Sequence, residues 1–370
     1  MRFLIFASIF LSVFALLSWY ISRRFVNRVD FKPGTKLLFK TFLVLNFIGI
    51  IFYMLSRYYI SVPAPLYFLF SLPIGVIFIL FISTLFYEIF HLLIHVSPNE
   101  KRRDFFKRSL DLGSVALASS VTAKSVYNAQ HTYLEKVDVT IKDLQKEYTI
   151  VQLSDVHIGG LIDHEFIASI VHRVNALKPD VIAITGDLID TDISYVKDAI
   201  NELGNLKSTY GTYFVVGNHE YFHGARTIMD YLTTLGIHCL ENSNTYIGEQ
   251  GQGFHLAGVY DVFGYRTEDL KPDINKALIG TAQSPTVLLA HQPKFIEEVV
   301  NVDLVLSGHT HGGQIFPFNY LVKLAQPYIK GLHKHNEQTQ IYVNKGTGFW
   351  GPPMRLAASA EITHLTLKRG

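Results

Sequence analysis

Thr149-Ile150-Val151-Gln152-Leu153-Ser154-Asp155-Val156-His157 is the stretch whose reading decides the fold. A short apolar run, rich in β-branched residues, breaks abruptly into a carboxylate and an imidazole two residues apart. The texture returns four times further on. Val181–Thr185 ends in Gly186-Asp187, and Thr212–Val216 ends in Gly217-Asn218-His219-Glu220. Thr286–Ala290 ends in His291, and Leu304–Ser307 ends in Gly308-His309-Thr310-His311. Between these runs lie segments with helical character, Glu165–Leu177, Ile193–Leu203, Ala225–Leu235 and Thr267–Leu278. Strands alternating with helices predict α/β layers.

Working outward, the five polar clusters form one set, because ligands in open α/β sheets gather at the carboxyl ends of strands. Every cluster offers carboxylate, imidazole or amide oxygen, and none offers sulfur. Mixed nitrogen and oxygen donors suit manganese, iron or zinc better than calcium or copper(I). In an extended segment, side chains two apart share a face, so Asp155 and His157, and likewise His309 and His311, are expected to bite a common ion. The glycines at 186, 217 and 308 let the backbone turn where strand gives way to loop.

The remaining sequence is of a different kind. Phe3 to Ser22 is uncharged and long enough to cross a bilayer core of roughly 30 Å as a helix. Leu37 to Leu55 is a second span, with Lys40 positioned to snorkel, and Leu66 to Phe90 a third. Residues 1–128 carry 14 Lys/Arg against 5 Asp/Glu, a net +9, whereas residues 129–370 carry 19 against 26, a net −7. Basic charge confined to the apolar end argues against a nucleic-acid binder. The hydrophobic content of 49% excludes global disorder, and the single cysteine, Cys239, excludes an intrachain disulfide framework or a thiolate zinc cluster.

Basic residues cluster between spans one and two and again after span three, with only Arg57 between spans two and three. The positive-inside rule then sets the first and third loops in the cytoplasm and the N-terminus outside. A weak span candidate at 109–123 follows Arg102-Arg103-Asp104-Phe105-Phe106-Lys107, which resembles a twin-arginine export signal. If that stretch crosses, the C-terminal domain lies outside the cytoplasm, the expectation adopted here. If it does not, the domain faces the cytoplasm. The organisation expected is therefore a membrane anchor at 1–128, a hinge at 129–136 and a catalytic domain at 137–370.

The ordered blocks Asp155-x-His157, Gly186-Asp187, Gly217-Asn218-His219-Glu220, His291 and Gly308-His309-x-His311 resemble the calcineurin-like metallophosphoesterase superfamily, in its membrane-anchored or exported bacterial branch. The run to Gln314, Gly346-x-Gly348 and Arg355 adds to the likeness. The resemblance implies a four-layer α/β/β/α sandwich of two mixed sheets. It implies two divalent metal ions, manganese, iron or zinc. Asp155, His157 and His311 would hold one ion, Asn218, His291 and His309 the other, and Asp187 both. His219 would lie beside the metals without binding one, and Asp190 matches a second acidic residue of the motif. By its chemistry a protonated His219 serves as the catalytic acid toward the leaving group, or else only orients Asn218. Arg355 reads as a substrate clamp, since guanidinium matches phosphate oxygens bidentately, or as a surface salt bridge. Such an ion pair activates a bridging water as hydroxide for attack on phosphorus. The expected partners are the lipid bilayer and a phosphoester of the envelope or linked to a lipid, with no nucleic acid. Oligomeric state is not legible. A cytoplasmic-facing nucleotide-lipid pyrophosphatase and a non-catalytic metal-binding scaffold are the alternatives.

Other residues are set apart from this constellation. Glu88, His91 and His95 read as an interfacial cluster near the end of span three, and His223 and His255 as structural or rim residues. Phe316, Phe318, Phe349 and Trp350 read as core, as an apolar wall for a substrate or as residues touching the lipid surface.

Overall fold

The computed structural model describes residues 2–58, 62–94 and 100–370, which divide into two units. His95 lies outside the described residues.

The first unit comprises residues up to Gln130 together with Gly351–Leu356. Its helices are α1 (Arg2–Ile21), α2 (Pro33–Tyr58), α3 (Ala64–Ile94) and α4 (Glu100–Ala129). Ile5–Val26, Pro33–Arg57 and Ala64–Ile94 are long and apolar enough to span a membrane. The second and third of these helices exceed the sequence-based spans at both ends, because flanking polar residues continue the helical ladder beyond the hydrocarbon core. The 109–123 stretch is the middle of α4, one uninterrupted helix that folds back along α3. Asp111 fixes the register. It is buried, accepting hydrogen bonds from the Tyr87 hydroxyl at 2.8 Å and the Asp30 N–H at 2.7 Å. Nearby Glu88 accepts from Tyr20 and pairs with Arg24 and Arg28, so the end of α3 is tied to the basic segment after α1. Further along, α3 and α4 line a cavity of about 670 Å³ through Leu72, Val76 and Leu80 on one side and Val115, Ala118 and Thr122 on the other. At its far end α4 meets the 351–356 segment. The Arg355 N–H donates to the Ser125 carbonyl at 2.8 Å, and Asn128 Nδ2 donates to the Arg355 carbonyl at 3.2 Å.

The second unit, His131–Trp350 with Ala357–Gly370, holds twelve strands. They are β1 (Thr132–Ile141), β2 (Tyr148–Leu153), β3 (Val181–Thr185), β4 (Thr212–Val215), β5 (Ile237–Cys239), β6 (Ser243–Ile247), β7 (Phe254–Gly258), β8 (Thr286–Leu289), β9 (Leu304–Ser307), β10 (Gly331–Lys334), β11 (Gln340–Val343) and β12 (Ala360–Arg369). One sheet runs β1-β12-β2-β3-β4-β5 and the other β10-β11-β9-β8-β7-β6. Both are mixed: β12 is antiparallel to β2, and β10 and β6 are antiparallel to their neighbours. The sheets pack face to face. Ile150, Val181, Ala183 and Val215 from the first share a core with Leu256, Val287, Leu289 and Leu306 from the second. Alternation along the strands turns Ile182, Ile184 and Leu288 to the outer faces, where helices cover them, completing the expected four layers.

Two sequence expectations need correction. Residues 132–136 are not a hinge: β1 starts at Thr132 and pairs in parallel with β12 over ten residues, from Thr132–Ala360 to Ile141–Arg369. That long-range ladder absorbs a polar stretch with no local strand signal. The helix expected over 267–278 is two short turns, Gly264–Thr267 and Ile274–Ala277. Pro272 disfavours helical conformation at Lys271, and Glu268 and Leu270 take left-handed φ of 60° and 48°.

Candidate metal centre

The loops after β2, β3, β4, β8 and β9 converge at one end of the two sheets. Four interlocking groups of ligand atoms result among the described residues, each with all atoms within 4.8 Å of one another: Asp155 with His157 and His311, Asp187 with His291 and His309, His157 with Asp187 and His219, and Asp190 with His219 and His223. Asp187 belongs to two groups, so its carboxylate stands between the triplets. Asn218 joins through its amide oxygen, 3.3 Å from His291 Nε2. All seven residues expected to hold metal are thus brought together, with His219 beside them.

The convergence is not the strand alternation that the Asp-x-His spacing suggests. Asp155, His157, Asp187, His309 and His311 all have left-handed backbones, with φ between 49° and 69°. Such conformations cost on the order of 1–3 kcal/mol each at non-glycine residues and persist only where the surroundings impose them. Here neighbouring loops do so: the Asp155 and His157 N–H groups donate to the Gly186 and Asp187 carbonyls, both at 3.0 Å. The His309 N–H donates to the Asp155 carboxylate at 2.9 Å, and the His219 N–H to Asp187 Oδ1 at 2.8 Å.

The donor set fits divalent metal on two counts. His157 Nε2 and His311 Nε2 face each other at 3.1 Å, close to the roughly 3.4 Å separating two imidazole nitrogens on one tetrahedral ion. His291 Nδ1 lies 2.8 Å from the Thr185 carbonyl, an acceptor only, so Nδ1 carries the proton and Nε2 is turned to Asp187 at 3.3 Å. A backbone acceptor behind a ligating histidine fixes tautomer and ring orientation.

Residues 148–313 match the calcineurin-like phosphoesterase family. An uncharacterized metallophosphoesterase of Helicobacter pylori is 40% identical over 364 residues, covering 97% of each chain. A transmembrane protein with metallophosphoesterase domain from Danio rerio is 37% identical over 255 residues, 65% of this chain and 58% of its own.

The chain belongs to the calcineurin-like phosphoesterase family. It is thereby placed among metal-dependent phosphoester hydrolases, and its apolar helices make it a membrane protein.

The electrostatics of this metallophosphoesterase site are those of a cation trap. Burial works against ionisation of Asp187, yet His291, His219 and His157 hold its carboxyl well below the ordinary range. Burial likewise opposes charge on His291, but Asp187, Asp155 and Asp261 raise it well above an ordinary imidazole. Acidic surroundings that favour a proton on Nε2 favour a divalent cation there by the same attraction. Burial and the neighbouring His291 push His309 down to about 3, keeping it neutral and able to ligate. Burial raises Asp155 to about 6.

Sequence reading missed three residues that hold the site in place. Glu220, quoted in its motif without a role, is buried and accepts four backbone N–H groups, from Gly217, Asp187, Leu188 and Ile189, at 2.6–3.1 Å. Asp261 and Gln292 pair behind His291 at 2.8 Å. No motif flags any of the three roles: Glu220 acts on backbone N–H groups, and Asp261 and Gln292 act through a side-chain pair. His223 sits on the rim, 3.8 Å from Asp190, while His255 bonds Asn244 across β6 and β7. Arg355 is fully buried and belongs to the helical unit, and Phe349 is buried, whereas Phe316, Phe318 and Trp350 are exposed.

Proposed function

We propose that this chain is a membrane-anchored hydrolase with a dinuclear centre, acting on phosphoesters of the cell envelope or linked to lipids. The observation that carries the reading is Asp187, common to two ligand groups, with an ionisable histidine on its open side. Asp155, His157 and His311 would hold one ion, Asn218, His291 and His309 the other, and Asp187 both. Manganese, iron and zinc all suit such donors. When bound, two such ions supply Lewis acidity for a phosphoryl group and hydroxide at neutral pH.

The chain's own residues provide the rest. His219 Nδ1 is held by Asp190, which directs Nε2 toward Asp187, where it can deliver a proton to the departing ester oxygen. Glu220 clamps the loop carrying Asp187 against the helix carrying Asn218 and His219. Arg355 is the candidate clamp on the substrate phosphate, since a guanidinium matches phosphate oxygens bidentately.

Anchoring also bears on the side of the membrane. The packing of α4 back along α3 supports a fourth crossing, because Val115–Thr122 lies level with the middle of α3. Small residues at such a helix interface tolerate weak hydropathy. With the basic segments inside, a fourth crossing delivers the catalytic unit outside the cytoplasm.

The test uses the full chain in detergent, loaded with manganese, on bis-p-nitrophenyl phosphate and p-nitrophenyl phosphate. The expected result is turnover that disappears in Asp187→Asn together with loss of bound metal. Turnover that survives the substitution would overturn the two-metal reading. Fusions after residue 130 report the side: alkaline phosphatase activity is expected, and its absence would place the unit in the cytoplasm.

A further inference from the structure

The metal-ligand cluster is bordered by a segment rich in exposed apolar side chains, with one cation, Lys323, among them. Gly313, two residues after His311, lies so close to Asn319 that a Cβ added there would sit 2.4 Å from the Asn319 Cα. The segment leaving the metal loop is therefore packed on it, and this segment exposes Phe316, Phe318, Tyr320, Leu321 and Leu324, the last two at 58% and 85%. Gln314 ties the same loop to Trp350 by two hydrogen bonds, side-chain N–H to the Trp350 carbonyl at 2.7 Å and Trp350 N–H to its side-chain oxygen at 3.1 Å. The exposed Trp350 ring stands 5.8 Å from His219, and exposed Phe222 stands 5.7 Å from it on another side. Exposed apolar side chains gathered beside a polar site mark a candidate binding surface.

We infer that this rim holds the hydrocarbon chain of an amphiphilic phosphoester whose phosphate lies at the metal centre, an assignment that rests on the hydrolase reading. The aromatic rings alone suit either a nucleobase or a hydrocarbon. Leu321 and Leu324 decide between them: the same segment exposes these branched aliphatic groups, which offer a base no flat face but add apolar area for each methylene laid along them. A free sugar phosphate leaves this surface uncovered.

The full chain in lipid nanodiscs, loaded with manganese, is given three p-nitrophenyl phosphodiesters, the second ester group being methyl, dodecyl or thymidine, below micelle-forming concentration. The dodecyl ester is expected to show at least tenfold higher kcat/KM than the methyl ester. Leu321→Glu/Leu324→Glu, at exposed positions, should erase that advantage and leave methyl ester hydrolysis unchanged. Equal rates for methyl and dodecyl esters, a preference for the thymidine ester, or an advantage that survives in the double variant would each overturn the inference. If no ester is cleaved, the hydrolase reading fails instead, and calorimetry with dodecyl phosphate then decides the rim. At least tenfold weaker binding by the double variant supports it, and equal binding overturns it.

Discussion

The Nδ1 atom of His219 lies 2.6 Å from Oδ1 of Asp190, and its Nε2 lies 3.9 Å from Oδ2 of Asp187. One carboxylate thus orients the ring from behind while the other shares the space where a phosphoester would react. This arrangement makes the two residues one functional unit. His219→Asn should lower kcat by roughly 10²–10⁴ with both metals retained. Asp190→Asn should lower it by roughly 10–100, as loss of an orienting partner does. Their combination should be no worse than His219→Asn alone, because an orienting group has nothing left to orient. Steady-state kinetics with metal analysis on the three variants checks this, and full additivity would separate the pair.

Gly308 precedes His309 where β9 ends, and a Cβ there would sit 1.9 Å from Ser154 Oγ and 2.2 Å from Asp155 Oδ2. Gly308→Ala is expected to push Asp155 out of line, costing on the order of 1–3 kcal/mol of stability. Metal content should fall with it. Thermal unfolding and metal analysis would show the two losses together; a variant with native metal occupancy would mean that the loop yields without disturbing the ligand.

Glu220 has a carboxyl pushed up to about 7 by burial and by nearby Asp187, yet four N–H groups point at it. Glu220→Gln replaces an oxygen that accepts two of these with an amide that donates. The expected loss is about 2–4 kcal/mol, since buried donors are left without an acceptor. Activity should fall with stability, because the clamped backbone carries Asp187. Denaturation midpoints in detergent provide the measure.

Asp261 gives a pH signature. Burial raises its carboxyl to about 6. Oδ1 accepts from the Phe263 N–H and from Gln292, whereas Oδ2 has no hydrogen-bond partner among the described residues. The folded state therefore binds this proton more tightly than the unfolded state does. Its burial costs nothing below about pH 4, costs progressively more up to about pH 6, and costs a constant amount above that. Asp261→Asn keeps both accepted bonds and removes the charge. It should raise stability by about 1–2 kcal/mol above pH 6 and leave it unchanged at pH 4. Melting curves across that range test the sign, and stabilisation that is equal at both ends would contradict it.

The candidate metal ligands were legible because the chemistry demands particular side chains, and the fold sets them where apolar strands stop. Asp155, Asp187, Asn218, His291 and His309 each follow such a run within a few residues. The means by which they converge was not legible. Spacing suggested extended segments, and the structure uses left-handed turns held by backbone bonds from neighbouring loops. The same holds for the fold. β2, β3, β4, β8 and β9 are apolar and announce themselves, while β1 and β12 draw their order from each other across more than two hundred residues.

β12 occupies the place between β1 and β2 in the first sheet. Without it those two strands would stand apart by about two strand spacings, roughly 9–10 Å, with both facing ladders open. The sheet that carries Asp155 and Asp187 is therefore closed by residues 360–369, which leave the ribosome after every other strand. Until then β1 and β2 present unpaired edges, a state prone to mispairing. Completion of this sheet thus waits until residues 360–369 have been made, and an agent that competes for the β1 edge before then would act on biogenesis and leave the folded sheet untouched.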